Sequence, residues 1–260
     1  MAQNTTTLLK RNRSSIRQST SSDLAAIHDW LIEEKAQNVD GNFLCNWSVI
    51  EQAHHSKDLL VYIDGKCGQP VAFQLNKLIH PGILQVRKAY RGKGIGRKIV
   101  ERCFSINRLH DECCLYIQCE PASSIPFWEH MGFTLINTRE GNNYAYRIID
   151  KYFNLPESGV RIKVIIRFFP ESRKWKPTEI PFSIHEPMAI LGNDGIVYLE
   201  NRVSFHNKSQ VDRLRFDFDV VVEIEINGNR YFLDKAKYIE AEAIGIRYCT
   251  NGFYIDKVII

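Results

Sequence analysis

Two hydrophobic rhythms follow one another along the chain. As far as Ile149, stretches of helical spacing take turns with short apolar runs; beyond it, strict alternation dominates. In the first stretch, Ile16-Arg17 ends a short strand. Thr20 to Asp23 offers helix caps ahead of Leu24, Ile27 and Leu31, which recur at helical spacing. A second helix is predicted over Phe43 to His55. The runs Leu59 to Ile63 and Val71 to Leu75 flank the turn signal Asp64-Gly65 and predict a hairpin. Ile83 to Val86 reads as the next strand and Ile95 to Leu109 as the main helix. Cys113 to Cys119 is a further strand and Ser123 to Met131 a short helix. Phe133 to Thr138 and Tyr144 to Ile149, around Gly141-Asn142-Asn143, close one mixed sheet with flanking helices, an α/β (α+β) class.

After Ile149 comes a linker signal, Asn154-Leu155-Pro156-Glu157-Ser158-Gly159, and then Val160, Ile162, Val164, Ile166 and Phe168 in alternation. Later runs are Arg215 to Val220 and Val222 to Ile226. Asn227-Gly228-Asn229 is a hairpin turn into Arg230 to Leu233, and a short helix is predicted over Asp234 to Ala243. Thr250-Asn251-Gly252 turns the chain into Phe253-Tyr254-Ile255. The expected organisation is a polar, flexible tail over 1–13, an α/β domain over 14–152 and a mostly β domain over 157–260.

The densest chemical signal is the segment from Leu84 to Cys103. An apolar strand leads into Arg91-Gly92-Lys93-Gly94-Ile95-Gly96, and an amphipathic helix follows. Strand, glycine turn and helix together aim unpaired backbone N–H groups and a helix dipole at a phosphate. Glycine lets the backbone approach phosphate oxygens closely, and Arg91, Lys93, Arg97 and Lys98 add positive charge. A dinucleotide-binding turn fits less well, because no acidic residue ends a second parallel strand about 20 residues on.

Arg91-x-x-Gly94-x-Gly96 resembles the Arg/Gln-x-x-Gly-x-Gly/Ala signature of the GCN5-related N-acetyltransferases. Two further segments resemble that family in the right order: Ser124 to Phe133, its helix followed by Gly-Phe, and Ile16 to Leu24, its first strand and helix cap. Lys88 stands where the family often has Pro. The resemblance spans roughly residues 14–150 and implies acetyl-CoA as co-substrate. It implies that the backbone at Leu84 and Val86 lines the pantetheine arm. The segment Arg91, Gly92, Lys93, Gly94, Ile95, Gly96 and Arg97 is then implied to take the pyrophosphate. The implied activity is direct transfer of an acetyl group to an amine.

The acid and base are harder to assign. The family's usual tyrosine, four residues before the Gly of Gly-Phe, is replaced by Trp128, whose indole donates but does not ionise usefully. Trp128 is expected to pack against the coenzyme arm or to fill core. The strand Ile83–Val86 carries no acidic residue. His80 just before it and Glu120 past a strand end are candidate bases. Ser124, with Ser123, Tyr116 and Tyr144, is a candidate proton donor. An alternative follows from the same gap: an acetyl-CoA-binding regulator with little or no activity, whose β domain binds a protein partner.

Composition narrows the rest. Apolar residues make up 44% of the chain, which is a globular content. The net charge is +4, with 18 Lys+Arg against 15 Asp+Glu over 1–150 and 16 against 15 beyond. That near balance argues against nucleic-acid binding by field alone. The loop Arg173-Lys174-Trp175-Lys176 keeps an RNA-directed enzyme in view as a third reading. The seven cysteines are odd in number and have no metal-ligand spacing. The expectation is a cytoplasmic protein without metal or membrane span. An edge-rich β domain leaves a homodimer open.

Overall fold

The computed structural model describes residues 13–80, 82–137, 143–206 and 220–260. The tail over 1–12, Gly141 and Asn142 of the expected turn, and residues 215–219 of an expected strand lie outside the described residues. The contacts of the chain divide it into two compact units, one from the N-terminus to 105 with 118–131, the other 106–117 with 132–260.

The first unit rests on an antiparallel sheet in the order β1 (Ser15–Gln18), β2 (Leu59–Ile63), β3 (Pro70–Leu75), β4 (Leu84–Val86). β3 is buried along its whole length, as a central strand should be. Helix α1 (Ser21–Ala36) buries Asp23, Ile27, Trp30, Leu31 and Glu34, a stripe at helical spacing. The two acids at its ends are both partnered. Asp23 completes a capping box with Thr20 and accepts from Arg17 at 2.5 Å. Burial disfavours its charge, yet the hydrogen bonds from Arg17 and Thr20 prevail and hold its pKa below the usual carboxylate value. A 3₁₀ turn (Leu44–Asn46) leads into α2 (Trp47–His55), whose Ile50 and Ala53 join Phe73, Leu59 and Leu31 in one apolar cluster. Helix α3 (Ile95–Leu109) presents Ile95, Ile99, Val100 and Cys103 to the interior. Helix α4 (Ile125–His130) buries Trp128.

The expected mixed α/β fold is present, with its strands in two hydrogen-bonded sheets among the described residues. β4 ends the first sheet, and β5 (Cys114–Gln118), β6 (Thr134–Asn137) and β7 (Asn143–Ile148) form a separate three-stranded sheet in the order β5-β7-β6. β4 has three residues and pairs along one edge.

The second unit also holds an eight-stranded antiparallel sheet: β13-β12-β8-β10-β11-β15-β14, with β9 on β8. These are β8 (Val160–Pro170), β9 (Ser183–His185), β10 (Met188–Leu191), β11 (Ile196–His206), β12 (Val220–Ile226), β13 (Asn229–Lys235), β14 (Ile246–Cys249) and β15 (Gly252–Ile259). Val164, Ile166 and Phe168 of β8 share a core with Val222 and Ile224 of β12, Phe205 of β11 and Phe253 of β15. That core draws on both flanks of the sheet, and Tyr231 of β13 donates its hydroxyl to Ile259 O at 2.8 Å, so the sheet curls.

β9 and β10 are one strand interrupted. Ile166 faces His185 and Lys163 faces Met188 in unbroken register along β8, and the break falls at Glu186-Pro187. Proline lacks the N–H that a ladder needs. β11 carries an irregularity between Tyr198 and Val203 that interrupts its alternation. The helix expected over Asp234 to Ala243 shrinks to α5 (Ile239–Ala243). The Asn227-Gly228 turn, with φ of +50° and +82°, sets a hairpin whose pairing carries β13 as far as Lys235.

Charges in this unit are largely matched within it. Arg202, its side chain fully buried, holds Asp256 at 2.6 Å and Asp111 at 2.9 Å and lies over the Tyr254 ring. In the loop with RNA-like composition, Arg173 pairs with Glu223, Lys174 with Asp234 and Lys176 with Glu179. Each of these three cations thus has an acidic neighbour. All seven cysteines are free thiols. Among the described residues no helix is long and apolar enough to cross a membrane.

His206 at the end of β11 stacks on Tyr146 at 4.1 Å, and burial lowers its pKa from 6.5 to about 4. The folded state thus favours neutral imidazole. Its contribution to stability is complete above pH 6.5 and is lost as the pH falls through about 4. We expect His206→Phe to reduce the acid destabilisation between pH 7.5 and 4.5 by up to about 3 kcal/mol. Urea unfolding of both proteins at the two pH values measures it, and an equal acid loss in the variant refutes the assignment.

Candidate functional site

The site grows out of the unused edge of β4. Leu75 N–H donates to Ile83 O at 3.0 Å and Arg87 N–H to Val71 O at 2.9 Å, and Gln85 faces Phe73 in the same register. In an antiparallel pair the backbone groups of alternate residues point the other way. Those of Leu84 and Val86 therefore face the edge that no strand covers among the described residues.

Behind β4 stands a buried polar relay. The Glu34 carboxylate accepts from Lys88 N–H at 2.5 Å and from Gln85 Nε2 at 3.2 Å, while Gln85 Oε1 accepts from Phe43 N–H at 3.1 Å. Glu34 and Gln85 are both almost fully buried. A buried carboxylate persists where donors converge on it. The relay ties α1, β4 and the approach to α2 into one frame.

The chain then enters the glycine turn. Gly92 and Gly94 both have φ of +75°, the left-handed region where glycine alone is unstrained, and a Cβ on either would meet nothing within 4 Å. The space around them is open. Gly96 differs: a Cβ there would lie 3.1 Å from the Phe127 ring, so its role is close packing of α3. Lys98 N–H donates to Gly94 O at 3.2 Å, so the amides of Ile95, Gly96 and Arg97 precede the first bond within α3. Arg91 turns inward, donating to Val86 O at 3.0 Å and Asp40 O at 3.1 Å. Lys93 donates to Ala89 O at 2.8 Å, and Arg97 meets His130.

These parts surround a cavity of about 710 Å³ that lies wholly within the first unit. Of the residues singled out from the sequence, Leu84, Val86, Arg91, Gly92, Gly94, Ile95, Gly96, Arg97, Glu120, Ser124 and Trp128 line it. Lys93 and His80 are not among the lining residues, and His80 is exposed. Trp128 is 7% exposed and meets Phe127 edge-on at 5.0 Å. Ser124, one helical turn before it, has a buried Oγ without a hydrogen-bond partner among the described residues.

Sequence reasoning missed several lining residues. Asp40 accepts a hydrogen bond from Ser123 at 3.1 Å. Tyr90 contacts Cys67 Sγ at 3.6 Å, and that bond, with some burial, raises its pKa. Gln85, Asn46 and Asn76 also reach the wall. Only Gln85 left a trace, as an amide inside an apolar strand. No group of three or more His, Cys, Asp or Glu could hold a metal ion among the described residues.

The arrangement suits a ligand with an anionic group at the start of α3 and an extended arm along β4. That geometry can be set beside known proteins. Residues 55–135 match the model of the acetyltransferase (GNAT) domain. No curated protein sequence matches the chain. Among solved structures, the chain is similar to Ard1 from Thermoplasma volcanium at 15% identity and a TM-score of 0.40, covering 52% of this chain and 97% of that one. A GNAT-family acetyltransferase from Staphylococcus aureus Mu50 aligns at 15% identity and a TM-score of 0.41, covering 52% and 99%. The ribosomal-protein-S18-alanine N-acetyltransferase of Escherichia coli aligns at 15% identity and a TM-score of 0.39, covering 52% and 94%. The matched segment 55–135 contains β2 to β4, the glycine turn, α3 and α4, which build most of the cavity, while Asp40 to Val49 on its wall precede it. By that match, residues 55–135 are similar to a GNAT acetyltransferase domain.

Proposed function

We propose that the protein is an acetyl-CoA-dependent N-acetyltransferase. The observation that carries this reading is the joining of three features in one cavity: the free edge of β4, two open left-handed glycines and the unbonded amides at the start of α3. The amides from Arg91 to Arg97 would hold the pyrophosphate. The arm would lie along Leu84 and Val86, against Trp128.

In the reaction the acceptor nitrogen attacks the thioester carbonyl, a C–N bond forms, and the C–S bond breaks. Edge N–H groups of β4 are suited to the transient oxyanion. Glu120, on the cavity wall, is our choice to take the proton from the amine. Ser124, on the same wall, is our choice to donate a proton to the departing sulfur. His80, exposed and off the wall, is given no step. On this reading the protein works in the cytoplasm, and the β domain over 157–260 recruits the acceptor or a protein partner.

One observation favours a second reading, a coenzyme-binding regulator: Trp128 fills the place of the family's tyrosine and cannot serve as a general acid. Turnover with any amine eliminates it.

Two measurements test the proposal. Calorimetric titration with acetyl-CoA should give micromolar binding, weakened at least tenfold by Gly94→Val. Valine there is strained at φ +75° and fills the space the ligand needs. No binding by the native protein would reject the coenzyme site. Ser124→Ala should lower kcat about tenfold while acetyl-CoA affinity and thermal stability hold, because the hydroxyl it removes bonds to no other described residue. Unchanged kcat would remove Ser124 from the mechanism.

A further inference from the structure

One side chain ties the glycine turn to two other parts of the cavity. Arg91 opens the turn, and its guanidinium folds back over the strand. Nε donates to Val86 O at 3.0 Å and Nη2 donates to Asp40 O at 3.1 Å, both at the surface. Val86 O belongs to the outward set of β4 groups. Arg91 therefore occupies an acceptor on the edge that no strand covers among the described residues. Neither of its two acceptors carries charge.

Asp40 and Gly41 continue from this contact to the other wall. A Cβ on Gly41, at φ +70°, would lie 3.9 Å from Arg91 Nη2 and 3.2 Å from Pro121 Cδ. The Asp40 carboxylate accepts from Ser123 Oγ at 3.1 Å. The pair thus bridges the glycine turn and the approach to α4, and Asp40, Gly41, Val86, Arg91, Pro121 and Ser123 all line the cavity. The bridge is anchored at both ends. Val39 is buried, and its N–H donates to Glu34 O at 3.0 Å. Asn42 donates to Leu31 O at 2.9 Å and accepts from Leu44 N–H at 3.0 Å. Between these anchors, surface hydrogen bonds from Arg91 and Ser123 fasten the tip.

We propose that Arg91 is a latch that the phosphates of the coenzyme release. The proposal rests on the coenzyme-binding reading above. In the free protein the guanidinium takes the Val86 carbonyl that the amide-bearing arm needs, and it fastens the Asp40–Gly41 bridge. A phosphate oxygen is a better acceptor than a carbonyl, because both partners are then charged and the guanidinium fork meets phosphate with two parallel bonds. A pyrophosphate at the start of α3 draws Arg91 off both carbonyls. Val86 O is freed for an N–H of the arm, as when a peptide adds to a sheet edge. The bridge loses its tie to the turn and keeps its tie to Ser123. The arm by itself offers Arg91 no anion. It has to displace the latch without a stronger bond in return, and its apparent affinity falls with the fraction of molecules in which the latch is open. One residue thus makes the anionic half of the ligand a condition for tight binding of the other half, and the protein discriminates the intact coenzyme from its unphosphorylated arm.

Calorimetric titration of the native protein and of Arg91→Ala with acetyl-CoA and with S-acetylpantetheine tests the latch. The substitution should tighten S-acetylpantetheine at least threefold and weaken acetyl-CoA, opposite signs from one change. Stopped-flow mixing should show a faster association of acetyl-CoA with the variant, although a cation has been removed. An arginine that only attracts phosphate would leave S-acetylpantetheine unmoved and make association slower on its removal. Any other pair of signs overturns the latch and leaves the coenzyme site standing. Where S-acetylpantetheine binds neither protein measurably, the association rate decides, and a rate that does not rise overturns the latch. Should the alanine variant lose the fold, Arg91→Met, which keeps an unbranched stem and drops the donors, carries the same test. Failure of the native protein to bind acetyl-CoA rejects the coenzyme site, and the latch with it.

Discussion

An antiparallel strand offers its backbone to one neighbour at every second residue, and to the other side at the residues between. In β4 the first set is taken by β3 and the second is left open at Leu84 and Val86. An open edge is ordinarily a hazard, because it invites another strand. Here it is short and borders a cavity, and one of its carbonyls, Val86 O, is already engaged by Arg91. The same residue that guards the edge begins the glycine turn. Strand and turn are thereby locked in one relation, and the start of α3 inherits its aim from both.

Three residues of pairing are too few to hold such a strand rigidly. The frame comes from behind it, where Glu34 gathers Lys88 N–H and Gln85, and Gln85 in turn gathers Phe43 N–H. These bonds cross three elements and lie away from water. Loss of any one partner would strand a buried polar group, at a cost of about 1–3 kcal/mol. Phe43 lines the cavity and Lys88 leads into the turn. One buried carboxylate therefore joins, through Gln85, two segments that border the cavity.

Local patterns carried much of this. The helix Ile95–Leu109 and the hairpin of β2 and β3 were legible because periodicity and turn residues agree there. So was the Asn227-Gly228 hairpin. The glycine turn was legible because its chemistry needs backbone rather than particular side chains. Other features depend on partners remote in sequence. Glu34 and Lys88 are ordinary charged residues until the fold brings them together. Asn76, at φ +65°, follows a strand with no glycine to mark a left-handed turn, and Leu78 two residues on is fully buried. β9 to β11 escaped because Pro187 and the irregularity after Tyr198 break an alternation that is otherwise intact in space.

The interrupted strand of β9 and β10 also restricts how the chain can change length. Ala189 and Leu191 face the core while Ile184 and Met188 are exposed, so inward and outward positions keep the same parity on both sides of Glu186-Pro187. Removing one residue at this break would turn every side chain on one side of it to the opposite face, whereas removing two would preserve the alternation. Relatives sharing this sheet should therefore differ at the break by even numbers of residues, or replace it with a loop long enough to erase the register.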